Sequence, residues 1–412
     1  MIKEKYKIIL VSMYICCVLF NYFELIPGAW LLILTIIMNF YYMYIFRNNQ
    51  PILICLFFAL TYWGYMILYY WFGIFYCTYL KYCTVEYTNG TLRIAGLFMV
   101  FLFSAIKPYK SNLRQYFPVR NNILIYLASL SVMLFIIIYA FQVGDAFSYK
   151  NEGVNSSLYE YYFVFSLSAF CFAKSKFKKN ILLLVNIIYI IVLLRLGTRL
   201  VVLQVSLMLF VQYFENKFKT KWIILTVFLG FFFMSFWSMF RHGFSINTLD
   251  LFSLLGIRAD RMMVTNQGDV FYTSTAQYAQ SINGNWNMSF RISTMLAFFF
   301  NIILLPKYQL PVGKLNEILA SQSSLVPGGG FGAMYAYIWL DILGVFFLAI
   351  FIANAINSIA KTKSEIKKIY GIFLIFTFFR WYAYNLAIIF KMGFWLLLVY
   401  QLLKKFDKCI KI

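Results

Sequence analysis

The sequence predicts an all-α fold: a polytopic integral membrane protein of about twelve transmembrane helices, both termini cytoplasmic, with one large extracytoplasmic loop late in the chain. Three observations predict it. Apolar residues make up 63% of the 412 and charged ones only 12%, about half the charged share of an ordinary soluble globule. Apolar runs near the roughly 20 residues that a helix needs to cross the hydrocarbon recur from end to end. The charges fall in short clusters between those runs, as topology signals do. The net charge of +22 is therefore read as a membrane pattern, and nucleic acid is excluded as a partner.

The spans are expected near 8–24, 29–46, 51–71, 92–106, 123–142, 158–173, 180–195, 200–214, 222–240, 333–356, 367–381 and 384–403. The first follows Lys3, Lys5 and Lys7 like a signal peptide. Asn21, Tyr22, Phe23 and Glu24 offer no small-residue cleavage site, so it is read as an uncleaved span. Residues 1–412 form a single transmembrane domain in this reading, since no linker divides them. Twenty-three of the 36 basic residues then face one compartment, the cytoplasm by the positive-inside rule. The run Met295–Leu305 is too short for an ordinary span. Residues 241–332 are kept as one long outer loop, with 292–306 lying on or dipping into the membrane.

The thirteen remaining basic residues include eight arginines, against three among the cytoplasmic set. Guanidinium groups bind phosphate and carboxylate through two parallel hydrogen bonds, which lysine cannot do. Arg195 and Arg199 sit at the outer ends of spans seven and eight, Arg241 ends span nine, and Arg258, Arg261 and Arg291 follow in the loop. Cations at that level suit a lipid-linked phosphate or diphosphate. Snorkelling to lipid phosphate, or pairing with Asp250, Asp260 and Asp269, is the alternative. His242, the only histidine, is a general base, a donor to a sugar hydroxyl, or a structural partner at a helix end.

The loop also carries Tyr272, Gln277, Tyr278, Gln280, Asn283, Asn285, Trp286 and Asn287 within sixteen residues. Amides bind hydroxyl arrays and aromatic faces stack on sugars; an ordinary folded loop would look the same. The run from Pro327 to Gly332 permits close backbone approach, as an anion-binding turn or as a hinge. Asp341, inside the following span, is expected to face the bundle. Metal-ligand spacings are missing, so no metal site is expected. Cys77 and Cys83 share a loop, as a disulfide or as two thiols.

With these features the chain resembles the O-antigen and oligosaccharide repeat-unit polymerases, the Wzy group, and the related O-antigen ligases. The resemblance rests on the twelve-span plan, the late outer loop, Gly197-Thr198-Arg199 where members often read Gly-Ser-Arg, and Gly328–Gly332 followed by Tyr337 and Gly344. Many members carry an acidic residue or histidine early in the helix after the glycines, where this chain has Ala333, Met334 and Tyr335.

The resemblance implies glycosyl transfer at the periplasmic face of a bacterial inner membrane. Glycan would pass from one undecaprenyl diphosphate carrier to a repeat unit on another, with neither nucleotide nor metal. Arg199, Arg241 and Arg258 would neutralise the diphosphate, with Arg195, Arg261 and Arg291 in support. His242 would be the base or orienter, and Tyr278 and Trp286 would contact glycan. A chain-length regulator is left open as a partner. A flippase would show internal repeats and mid-membrane ionisable groups; a ligase would share the fold; an acetyltransferase would place its arginines nearer the cytoplasm.

Overall fold

The computed structural model describes residues 2–73, 84–108, 112–143, 156–196, 198–241, 266–283, 286–304, 308–315, 318 and 329–410. Among these the protein is helical and without strands. Seven helices among the described residues are long and apolar enough to cross a membrane, so this is a helical membrane protein. The chain folds as two compact units. The first holds 1–110, 220–354 and 381–387; the second holds 111–219, 355–380 and 388–412.

The first unit opens with α1 (Ile2–Tyr22), α2 (Gly28–Ile45), α3 (Gln50–Phe72) and α4 (Val85–Ala105). Local signals set their ends. Asn49 accepts from Ile52 N to cap α3, with Pro51 in the first turn, and Gly73 at φ 60° closes it in the left-handed conformation. Thr84 caps α4 the same way through Tyr87 N.

The helices alternate in direction, because their ends meet in pairs. Lys7 near the start of α1 bonds the Ser104 carbonyl at the end of α4. Tyr42 near the end of α2 donates to Val100 O at 3.2 Å. Tyr70 near the end of α3 donates to Asn89 Oδ1, near the start of α4, at 2.5 Å. Between apolar helices the bulk hydrophobic gain is shared with lipid, so small residues and buried hydrogen bonds supply the specificity. Gly96 illustrates this: the Tyr14 hydroxyl lies where a Cβ would stand, and it bonds Thr35 Oγ1 at 2.9 Å.

The second unit comprises α5 (Ile123–Val143), α6 (Ser156–Phe172), α7 (Lys176–Leu196), α8 (Arg199–Leu209) with a π-helical extension Phe210–Phe214, and later helices. Tyr162 and Ser166 of α6 both donate to Asn186 Oδ1 of α7. The Tyr162 and Tyr189 rings stack at 3.7 Å. The first unit continues with α9 (Thr220–Arg241), α10 (Asn266–Ile282) and α11 (Met288–Ile303). The stretch read as an outer loop therefore contains two helices. Next comes α12 (Gly332–Lys361), shared between the units, then α13 (Glu365–Phe376), α14 (Phe378–Trp381) and α15 (Ala387–Ile410).

Helix α12 is two helices joined by a sharp bend. Leu340 (φ −136°, ψ 23°) and Asp341 (φ 50°, ψ −142°) leave helical geometry. A Cβ on Gly344 would strike the carbonyl of Ala336, although residues eight apart in a straight helix lie about 12 Å apart. The segments before and after the bend thus pack side by side, and only glycine at 344 permits it.

Candidate functional site

In the first unit the candidate site is built around α10. Its sequence is polar yet almost uncharged, and its side chains from Val270 to Ser281 are buried. A polar helix inside an apolar bundle must satisfy its own groups. Thr275 and Ser281 donate to carbonyls three residues back, and Ser274 Oγ accepts from Phe331 N at 2.8 Å. Gln277 does neither. Its side chain is fully buried, and both amide atoms lack a hydrogen-bond partner among the described residues. Such an orphan group costs ~1–3 kcal/mol, so it calls for an explanation.

Gly329–Gly332 packs against this helix. A Cβ on Gly330 would stand 2.5 Å from Gln277 Oε1 and 2.8 Å from Ser274 Oγ, and one on Gly329 would strike the Tyr384 carbonyl. Gly332 N donates to Tyr382 O at 2.9 Å. These irregular segments are sealed by rings: Phe331 stacks on Trp63 at 6.1 Å and meets Tyr62, Phe271 and Tyr382 edge-on. Tyr62 and Trp63 lie at the middle of α3, and Phe98, which faces Tyr382, lies near the middle of α4. Non-helical backbone therefore reaches the mid-height of the bundle, which lipid surroundings permit only where protein buries it.

Further along α10 the charged groups begin. Tyr278 packs on Gly90, accepts from Arg93 Nη2 at 3.2 Å and lies 5.8 Å from the Tyr337 ring. Arg93 also bonds the carbonyl and side chain of Asn21, at the end of α1. Each guanidinium nitrogen of Arg291 donates to protein: Nε to Trp286 O at 3.0 Å, Nη2 to Ser281 O at 3.1 Å, and Nη1 to Asp341 Oδ1 at 2.7 Å. It ties the bend of α12 to the ends of α10 and α11. Asp341, expected to face the bundle, is instead 62% exposed: the bend turns it outward, and its carboxylate is held at one edge by Arg291.

The second unit concentrates charge differently. Helices α5 and α7 end, and α6, α8 and α15 begin, at one end of it. There Arg380 Nε bonds Glu160 Oε1 at 3.0 Å, with Glu160 only 9% exposed. Lys391 is near enough to feel the Glu160 charge. It has no hydrogen-bond or ion-pair partner among the described residues. The Arg195 guanidinium lies over the Phe141 ring at 4.5 Å, and Arg199 opens α8. Arg195, Arg199, Arg380 and Lys391 thus gather at one end of the second unit near Glu160, with Arg195 in the last turn of α7, where a helix C-terminus favours a cation.

The predicted residues therefore separate. Arg195 and Arg199 belong to this end of the second unit, and Arg291, Tyr278 and Trp286 belong to the first. Tyr278 and Trp286 are buried and engaged by Arg93 and Arg291. His242, Arg258, Arg261, Asp250, Asp260, Asn285, Gly197, Gly328, Cys77, Cys83 and the Arg241 side chain lie outside the described residues.

Sequence reasoning passed over Arg93, Arg380, Lys391 and Glu160 as site residues. The signal was present, because each is an ionisable group within an apolar stretch. Comparisons of the chain with protein-family models, with curated proteins and with solved structures find no match.

Proposed function

We propose that the chain is a membrane glycosyltransferase that polymerises oligosaccharide repeat units carried on undecaprenyl diphosphate, at the outer face of a bacterial inner membrane. The observation that carries this is the gathering of Arg195, Arg199, Arg380 and Lys391 at one end of the second unit's helices. Ionisable groups in an apolar stretch are functional candidates, and guanidinium groups suit a membrane-level diphosphate. The sequence resemblance to repeat-unit polymerases supports the same substrate.

In the reaction, a hydroxyl oxygen of the acceptor unit attacks the anomeric carbon of the donor glycan. The bond from that carbon to the diphosphate oxygen breaks, and the electron pair leaves with the diphosphate. The hydroxyl proton passes to a base or to the departing diphosphate. Arg195, Arg199, Arg380 and Lys391 stabilise the developing charge. Arg291 and Arg93 hold the fold around α10.

One observation favours a second reading, transport of the same lipid-linked unit. The non-helical lead into α12 at Gly329–Phe331 and the turn at Tyr382–Leu386 meet inside the first unit, and transporters use irregular backbone at that depth for substrate sites. Deleting the gene in its host and running the surface polysaccharide on a gel separates the two. A polymerase mutant retains core carrying one repeat unit and loses the ladder. A transport mutant carries no repeat unit at all, and that result would sink the polymerase reading. An unchanged ladder removes both.

A further inference from the structure

We propose that Glu160 is the catalytic base of the transfer, a role that rests on the glycosyl-transfer reading above and gives the hydroxyl proton a destination. Glu160 lies on α6, four residues after Ser156 and so ~6 Å along the helix from its start. Its two oxygens are used differently. Oε1 accepts from Arg380 Nε at 3.0 Å, whereas Oε2 bonds no described residue and is open to the surroundings. Lys391 feels the charge of this carboxylate without forming an ion pair with it. A purely structural pair would need the Arg380 contact and nothing from Oε2.

Among the described residues at this end Glu160 is the one carboxylate, and the cations beside it have no acceptor atom. The neighbouring tyrosines, Tyr159, Tyr161 and Tyr189, hold their protons near neutral pH. A base must also be aimed by a third group. The Arg380 bond does this, fixing the carboxylate by one oxygen and leaving the other for a hydroxyl.

The step balances in atoms and in charge. As the acceptor oxygen bonds the anomeric carbon, its O–H bond breaks and the proton goes to Glu160 Oε2. The bond from that carbon to the diphosphate breaks, and its electron pair stays on the diphosphate oxygen. Glu160 loses one negative charge as the diphosphate gains one, so the sum over the site is unchanged. Arg380 then faces a neutral carboxyl and is released toward the new anion. The proton leaves Oε2 to water, and the carboxylate is restored.

The test uses the full-length protein in lipid nanodiscs. One probe is the undecaprenyl diphosphate-linked repeat unit extracted from the deletion strain, and polymer formed from it measures transfer. The other is undecaprenyl diphosphate alone, whose binding measures the cation site. Glu160→Gln should bind undecaprenyl diphosphate no more weakly than wild type, since a negative charge is gone, while its turnover falls ~10²–10⁴-fold. Glu160→Asp should recover part of that rate. Glu160→Ala should be slow by itself and roughly tenfold faster with added formate, a free carboxylate that takes the missing group's place. The aspartate and formate arms decide the matter if Glu160→Gln fails to fold.

Turnover at the wild-type rate in Glu160→Gln overturns the base and keeps the transfer. Turnover and undecaprenyl diphosphate binding that fall together, with no rescue by formate, make Glu160 a structural partner of Arg380 and overturn the base as well. A wild type that binds undecaprenyl diphosphate but forms no polymer sinks the transfer reading itself, and the base with it.

Discussion

The two ends of the second unit handle charge in opposite ways. At one end Arg120 reaches Glu365 at 3.0 Å and Asp407 at 3.2 Å. Asn122 donates to Asp407 at 3.0 Å, Tyr400 to Glu365 at 3.1 Å, and Lys404 lies 2.8 Å from Glu365. Among the described residues Arg120 and Lys404 meet Glu365 and Asp407, and Asn122 and Tyr400 add neutral donors. This cluster joins the chain before α5 to the start of α13 and the end of α15. At the other end, among the described residues, Glu160 alone answers Arg380, while Lys391, Arg195 and Arg199 stand nearby. The first network holds chain segments together; the second gathers cations at the ends of helices, where we propose that the diphosphate binds.

The largest break in this comparison should come from Arg120→Ala. It leaves the fully buried Asp407 carboxylate without its cation, and losing one partner of a buried pair costs ~3–5 kcal/mol. Thermal melting of the purified protein should show a large drop, and an unchanged melt would mean that the cluster is not holding the helices. Arg380→Gln should cost less, about 2 kcal/mol, because Glu160 loses its hydrogen-bonded partner but keeps the Lys391 charge within range.

Acid provides a third, smaller contrast. Burial by itself pushes the Glu365 carboxyl up, but the hydrogen bonds from Lys404 and Arg120 outweigh it and hold the group below its ordinary 4.5. A carboxyl lowered in the folded state contributes stability above pH 4.5, and loses it as pH falls through the lowered value. Melting temperature should therefore decline below pH 4.5, and Glu365→Gln should flatten part of that decline. An equal acid slope in wild type and variant would remove Glu365 as its source.

The smallest effect on stability belongs to Lys391→Gln, within about 0.5 kcal/mol of wild type, since no described partner is lost. Its effect on the surface polysaccharide should nonetheless be large, with the ladder shortened or absent at normal protein levels. A wild-type ladder from this variant would make Lys391 a lipid anchor and close the comparison.

Much of the fold was legible in the residues. Each expected span falls on a helix or a pair of short helices, and seven of those helices have the length and apolar character to cross a membrane. Apolar length is a local property, so the linear sequence carries it. The stretch from 241 to 332 was harder. Its polar composition suggested an exposed loop, yet α10 lies buried in the bundle. Burial of a polar helix is decided by partners far away in sequence, such as Phe331 and Arg93, and a local pattern carries no trace of them. Arg291 was picked out for its residue type, but its three bonds to Trp286, Ser281 and Asp341 appear only once α10, α11 and α12 are packed.

The sequence by itself determined that this is a helical membrane protein and that arginine is concentrated away from the lysine-rich loops. Both follow from composition and linear spacing, which the bilayer reads one segment at a time. Tertiary structure alone decided which charges pair with one another, and where a buried amide faces a glycine turn. Those outcomes depend on distances of a few ångströms between residues as far apart as Arg120 and Asp407, or Gln277 and Gly330. Only the packed chain sets such distances.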